Sequence, residues 1–150
     1  MRRDREKRIE DFLAENPYLI DESLRDLIPL KQETLGSNRT DLTFRREDLL
    51  TIVEIKRIGL KCEDLAQLRG YMDAYGKENE LSEYHYLIGK KAKDPDGFKR
   101  KALENRIRVL YLGRDIPTAF LYDTRNRAYV PFSETKARAA RYDGEFRLRL

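Results

Sequence analysis

The segment RTDLTFRREDLLTIVEIKRIG, residues 39–59, decides the reading of this chain. In Thr40-Asp41-Leu42-Thr43-Phe44, apolar Leu42 and Phe44 alternate with polar Asp41 and Thr43, the period-two signature of a half-buried strand. Arg45-Arg46-Glu47-Asp48 is a polar connection. From Leu49 to Lys56 a second strand places Leu49, Thr51, Val53 and Ile55 on one face and Leu50, Ile52, Glu54 and Lys56 on the other. Both faces stay apolar until the last three residues, which suits a central strand covered on both sides. Consecutive strands joined this closely pair antiparallel. Asp41, at the start of one, should then lie beside Glu54, near the end of the other. Lys56, two residues on, shares the face of Glu54.

Working outward, residues 5–15 read as a helix, with Ile9, Phe12 and Leu13 as its apolar stripe and Asn16-Pro17 as its stop. A short helix from Asp21 to Leu27, capped by Asp21, and a strand over Leu27 to Thr34 follow, with Pro29 favouring an edge position. Gly36-Ser37-Asn38 makes a turn. Glu63 to Tyr75 is a helix with Leu65, Leu68, Met72 and Tyr75 facing inward. Tyr84 to Gly89 is a strand, Phe98 to Asn105 a helix and Arg106 to Leu112 a strand. Further strands are expected near 118–122, 128–132 and 144–150, with a helix over Glu134 to Ala140. The order predicts an α/β (α+β) fold: one domain over residues 1–150 with a mixed β-sheet flanked by helices. Its core spans about residues 5–90, and residues 90–150 form a C-terminal extension.

Composition narrows the chemistry. The 150 residues hold 31 Lys and Arg, 27 Asp and Glu, one His and one Cys. A single Cys excludes a disulfide framework and Cys-based zinc clusters, and a single His excludes multi-histidine metal sites. No run approaches the length of a membrane span, and MRRDREKR lacks the apolar region of a secretory signal. A cytoplasmic protein is therefore expected, without membrane association or a small-molecule cofactor. Carboxylates, lysines or a metal must carry any catalysis. His85 reads as a packed residue and Cys62 as structural. Most tyrosines, including Tyr75, Tyr86, Tyr111 and Tyr122, sit in core-like patterns.

The net charge of +4 conceals segregation. Residues 9–35 hold seven acids against two bases, and residues 90–108 hold eight bases against three acids. Basic segments sharing a face would attract a polyanion. Separated, they would be ordinary solvated surface.

Two carboxylates and an intervening backbone carbonyl form a hard oxygen site suited to Mg²⁺ or Mn²⁺. A neighbouring lysine could orient water or offset charge building on a phosphate. The spacing Asp41…Glu54-Ile55-Lys56 resembles the PD-(D/E)XK nucleases. The wider run resembles the NucS/EndoMS-type endonuclease domain. That resemblance rests on Glu10-Asp11-Phe12-Leu13-Ala14-Glu15-Asn16-Pro17, Arg39-Thr40-Asp41-Leu42, Val53-Glu54-Ile55-Lys56-Arg57 and Gln67-Leu68-Arg69-Gly70-Tyr71. The nuclease domain of Shedu-type antiphage systems is a second, related match.

The resemblance implies a restriction-endonuclease-like core and metal-dependent cleavage of DNA, in repair or antiphage defence. It assigns Asp41 and Glu54, with the Ile55 carbonyl, as metal ligands and Lys56 as the catalytic lysine. Gln67 and Tyr71, one helical turn apart, line the site. The family's further acid on the first helix corresponds to Glu6 or Glu10. Glu6, closer to the Ile9/Phe12/Leu13 face, is preferred. Arg39 and Arg57 flank the site as phosphate contacts. Lys90, Lys91, Lys93, Lys99, Arg100 and Lys101 are the basic residues expected on nucleic acid. The chain has no room for the family's N-terminal DNA-binding and dimerisation domain, so mismatch recognition is not carried over. DNA is the expected partner. A homodimer is the expected assembly, with the tail from Glu145 to Leu150 available as an added edge strand. The rival readings are a non-cleaving nucleic-acid-binding or assembly module on the same fold, and a protein-interaction domain in a defence complex.

Overall fold

The structure is a computed structural model. It describes the backbone of residues 2–32, 34–35, 38–112, 120–123 and 128–131, and the side chains of 9–32, 34 and 39–111. In chain order the elements are α1 (Arg2–Glu15), β1 (Leu30–Lys31), β2 (Thr34–Leu35), β3 (Asn38–Arg39), β4 (Leu42–Arg46), β5 (Leu49–Gly59), α2 (Cys62–Gly76), β6 (Glu80–Leu81), β7 (His85–Lys90), α3 (Pro95–Glu104), β8 (Ile107–Leu112), β9 (Phe120–Asp123) and β10 (Ala128–Pro131). The six-stranded sheet runs β1-β4-β5-β7-β8, with β6 pairing the start of β5. β4 and β5 form an antiparallel hairpin in which Leu42 faces Val53 and Arg46 faces Leu49. β5, β7 and β8 are parallel.

Two strand–helix–strand crossovers, β5-α2-β7 and β7-α3-β8, have their helices on one face of the sheet. Their core there includes Leu50, Ile52, Leu65, Leu68, Leu87, Phe98 and Ala102. α1 covers the opposite face, where Ile9, Phe12 and Leu13 pack on Leu42, Phe44, Val53 and Ile55. The alternation read in β5 thus feeds two separate cores. A sheet buried on both faces is what parallel strands require.

Two 3-10 turns, Pro17–Leu19 and Glu22–Leu24, replace the short helix expected after Asn16. Asp21 caps the second as anticipated, its Oδ1 accepting the Ser23 N–H at 2.9 Å. Asp26 then adopts a φ of 70°, which no right-handed helix continues through. The strand expected over Leu27 to Thr34 shrinks to Leu30–Lys31, on the sheet edge. Pro29 cannot donate to a ladder, and Gln32 sits at a φ of 54°. β2 and β3 close a separate two-stranded hairpin across the expected turn. Beyond residue 112, the strands expected near 118–122 and 128–132 correspond to β9 and β10, which pair antiparallel. The strand at 144–150, the helix at 134–140 and the side chain of Tyr122 lie outside the described residues.

Asp21 also ties the α1 side to the sheet. Its Oδ2 accepts hydrogen bonds from the Tyr86 hydroxyl at 2.8 Å and Arg108 at 3.1 Å. Arg108 in turn lies over the Tyr84 ring, 4.1 Å from its centroid. Among the described residues no helix is long and apolar enough to cross a membrane.

Candidate active site

The antiparallel register sets Asp41, one residue before β4, against residue 54 of β5. Each carboxylate holds the other strand's backbone. The Asp41 N–H donates to Glu54 Oε1 at 3.0 Å, and the Ile55 N–H donates to Asp41 Oδ2 at 2.7 Å. Thr40, immediately before, meets the Tyr75 hydroxyl of α2 at 3.5 Å. Asp41 is thus fixed between its hairpin partner and the helix above it.

β5 pairs with β7 only as far as Ile55↔Ile88. The register then shifts, and pairing resumes at Gly59↔Lys90. Such irregularities re-aim side chains and terminate regular pairing. Lys56 and Arg57 occupy this break. Lys56 Nζ stands 3.9 Å from Glu54 Oε2 and donates to Gln67 Oε1 at 2.7 Å. Tyr71, half-buried one turn further along α2, shares a hydrogen bond with Gln67. Burial raises its phenol above the ordinary value, and the charges of Glu54 and Asp41 add to that rise. The structure therefore brings Asp41, Glu54, Lys56, Gln67 and Tyr71 together between the hairpin and α2.

Glu54 is the most perturbed group of the set. It is 4% exposed. Burial, then the neighbouring Asp41 charge, push its carboxyl up to about 8. The Asp41 N–H and Lys56 pull the other way, and Glu10 adds a further push upward. Among the described residues of α1, Glu10 is the acid whose charge reaches the site. It is buried, and both its carboxylate oxygens accept from Gln32 Nε2, at 3.1 and 3.0 Å. Glu6, preferred from the helical phase, lies on α1, but its side chain is outside the described residues. Gln32 lies one residue past the two-residue strand β1, a contact that local pattern does not locate.

The basic residues divide. Arg39 is exposed on β3, two positions before Asp41. Arg57 follows Lys56, and its Nε is buried with no hydrogen-bond partner among the described residues. Lys90 ends β7 opposite Gly59. Lys91, Lys93 and Lys101 line a cavity at the ends of β5 and β7. Lys99 turns instead over the Tyr111 ring, 5.3 Å from its centroid, and Arg100 is exposed on α3. The basic stretch therefore does not present one continuous face.

Two further expectations meet different outcomes. His85 is buried as anticipated, its Nδ1 accepting the Ile52 N–H at 3.0 Å. Cys62, read as structural, is exposed at the first turn of α2 and lines the same cavity as the lysines.

The donor set suits a hard divalent cation. Two carboxylates and the Ile55 carbonyl would offer oxygen only, and a cation would favour ionised Glu54 against the burial and the Asp41 charge that raise its carboxyl. Among the described residues no group of three or more His, Cys, Asp and Glu side chains is placed to hold a metal. Any ion here would keep several waters, as Mg²⁺ commonly does with one or two carboxylates.

The fold has solved counterparts. A repair endonuclease from Pyrococcus abyssi superposes with a TM-score of 0.54 at 17% identity, over 67% of this chain and 43% of that one. The structure of an EndoMS–dsDNA complex superposes with a TM-score of 0.53 at 19% identity, over 69% of this chain and 43% of that one. The chain thus spans less than half the length of either protein, and at these identities the likeness is one of fold. No protein-family model and no curated protein matches the chain in sequence.

Proposed function

We propose that this chain is a metal-dependent DNA endonuclease of the PD-(D/E)XK type, hydrolysing phosphodiester bonds with Mg²⁺ or Mn²⁺. The observation that carries this reading is the convergence of Asp41, Glu54, Lys56 and Gln67 on one end of the β4–β5 hairpin. The fold's likeness to a repair endonuclease and to a protein solved on duplex DNA supports it.

In this reading Asp41, Glu54 and the Ile55 carbonyl would hold the ion, which when bound would supply Lewis acidity for phosphodiester hydrolysis. Lys56, held at 2.7 Å by Gln67, places its ammonium where negative charge grows on the phosphate. Gln67 keeps that ammonium from collapsing onto Glu54, 3.9 Å away. Tyr71 braces Gln67 from the next turn. Glu10 adds negative potential from α1 and favours cation binding. Arg39 and Arg57 flank the site as phosphate contacts.

The rival reading is a non-cleaving nucleic-acid-binding module on the same fold. A panel of single-stranded, duplex, mismatched, flapped and branched DNA, with and without Mn²⁺, separates the two. Cutting by wild type and none by Lys56→Ala is the expected result. Salt-dependent binding indifferent to Mn²⁺, with no nicking of any substrate, establishes the binder instead. The same panel, with size-exclusion measurement, addresses DNA preference and the homodimer.

A further inference from the structure

A cavity of about 660 Å³ opens at the carboxyl ends of β5 and β7, between the first turns of α2 and α3. None of the residues at the proposed cleavage site lines it. Its size falls within the range of small-molecule pockets, and the carboxyl ends of parallel strands are where open sheets place their ligands. Leu60, Ala92 and Phe98 give it an apolar lining. Lys61, Lys91, Lys93 and Lys101 supply its positive charge.

The four lysines of the lining outnumber its two acids. Asp94 is turned into its own helix, its Oδ1 accepting the Gly97 N–H at 3.2 Å. Glu63 is the other acid lining the cavity. The start of α2 is capped as well, by Asp64 Oδ2 accepting the Lys61 N–H at 2.8 Å. The lysines, rather than open helix ends, therefore set the field. An apolar lining beside exposed lysines is complementary to a nucleotide: base against carbon, phosphate against ammonium.

Position adds to chemistry. Gly59, on the cavity wall, is three residues past Lys56 on β5. At about 3.3 Å per residue the two lie roughly 10 Å apart, about three nucleotides of axial rise along a duplex strand. α2 forms a wall of both places, the cavity with Cys62 and the cleavage site with Gln67 and Tyr71. Resting on the nuclease reading, we propose that this cavity seats one unpaired nucleotide of the DNA strand, a few positions from the scissile phosphate.

Cys62 is the only cysteine of the 150 residues, is exposed and lines the cavity, so its alkylation rate reports occupancy. The experiment uses the full chain in EDTA, with a maleimide and a short single-stranded oligodeoxynucleotide. Saturating oligonucleotide should slow Cys62 alkylation roughly tenfold or more, because a seated base and phosphate block the opening. Lys61→Glu with Lys93→Glu, both at exposed positions, should lose that protection. Lys56→Ala should keep it. Lys101 is left intact because its Nζ lies 3.6 Å from the Cys62 sulfur and its removal would alter the thiol directly. Each variant is read as its own ratio with and without oligonucleotide.

Equal protection by blunt duplex at matched occupancy, or by inorganic phosphate alone, overturns the assignment to an unpaired nucleotide. Normal cutting with Cys62 unprotected overturns the cavity's role and leaves the nuclease reading standing. DNA neither bound nor cut by wild type overturns both.

Discussion

Replacing Glu54 with Gln should make the metal-free protein more stable at neutral and alkaline pH. The wild-type carboxyl has an ordinary value of 4.5 and is pushed to about 8 in the folded chain. The folded state therefore binds more protons than the unfolded state between these values. Stability falls as pH rises through that window. At about 1.4 kcal/mol per pH unit, keeping the proton at pH 7 takes roughly 3 kcal/mol, levelling off near 5 kcal/mol above pH 8. Gln carries no such penalty, and its Oε1 can still accept the Asp41 N–H that Glu54 accepts at 3.0 Å. For a domain of this length roughly 3 kcal/mol corresponds to about 6–12 °C in Tm. Thermal denaturation in EDTA, from pH 4 to pH 9, should show coincident Tm values at the acid end. The variant should then rise above wild type through neutrality and hold a constant lead above pH 8. Adding Mg²⁺ at pH 8 should raise wild type through linkage and leave the variant unmoved. Parallel Tm curves across the whole range would refute the claim that Glu54 is held protonated by burial and Asp41.

Other outcomes follow from single contacts. Gln67→Ala, removing the acceptor of Lys56 at an exposed position, should lower cleavage roughly 10–100-fold, the scale of lost supporting contacts. Denaturant titration of that variant should shift by no more than about 0.5 kcal/mol. His85 is held down to about 4 by burial, against an ordinary 6.5, so the unfolded state binds more protons between those values. Its contribution is present above pH 6.5 and is lost as pH falls to about 4, roughly 3 kcal/mol in all. In His85→Asn, whose Oδ1 can accept the Ile52 N–H without titrating, the acid fall in Tm should be smaller than in wild type. Asp21→Ala, which removes the carboxylate that accepts from the Tyr86 hydroxyl and Arg108, should destabilise by about 2–4 kcal/mol in urea. Cleavage at low temperature should be unchanged.

The parts of the candidate site that sequence made legible are those built by local rules. Strand alternation put Glu54 and Lys56 on one face, and an antiparallel connection brought Asp41 to Glu54. Helical spacing paired Gln67 with Tyr71 once the resemblance singled them out. The unread parts depend on distant residues. Glu10 is fixed by Gln32, which pattern placed inside a longer strand that Pro29 and a positive φ cut short. Asp21 could be read as a cap. Its contacts with Tyr86 and Arg108, 65 and 87 residues away, could not. The cavity exists because the chain leaving β5 lies across β7, with the Leu60 N–H on the Lys90 carbonyl at 3.0 Å. Gly89 makes the room: a Cβ there would sit 2.4 Å from Leu60 Cδ2. A Gly within a strand signals such an approach, but not what approaches.

The mutual grip of Asp41 and Glu54 bears on how the chain acquires its chemistry. Each carboxylate bonds backbone only 13 or 14 residues away, and Lys56 reaches Gln67 across 11. Loops that short cost less entropy to close than the distant parallel pairings of β7 and β8. The hairpin and one helix, residues 41 to 71, are therefore a nearly self-contained cassette. Its geometry is dictated by neighbours along the chain rather than by the periphery. Grafting residues 39–76 onto another sheet of the same order is the natural engineering use of that independence.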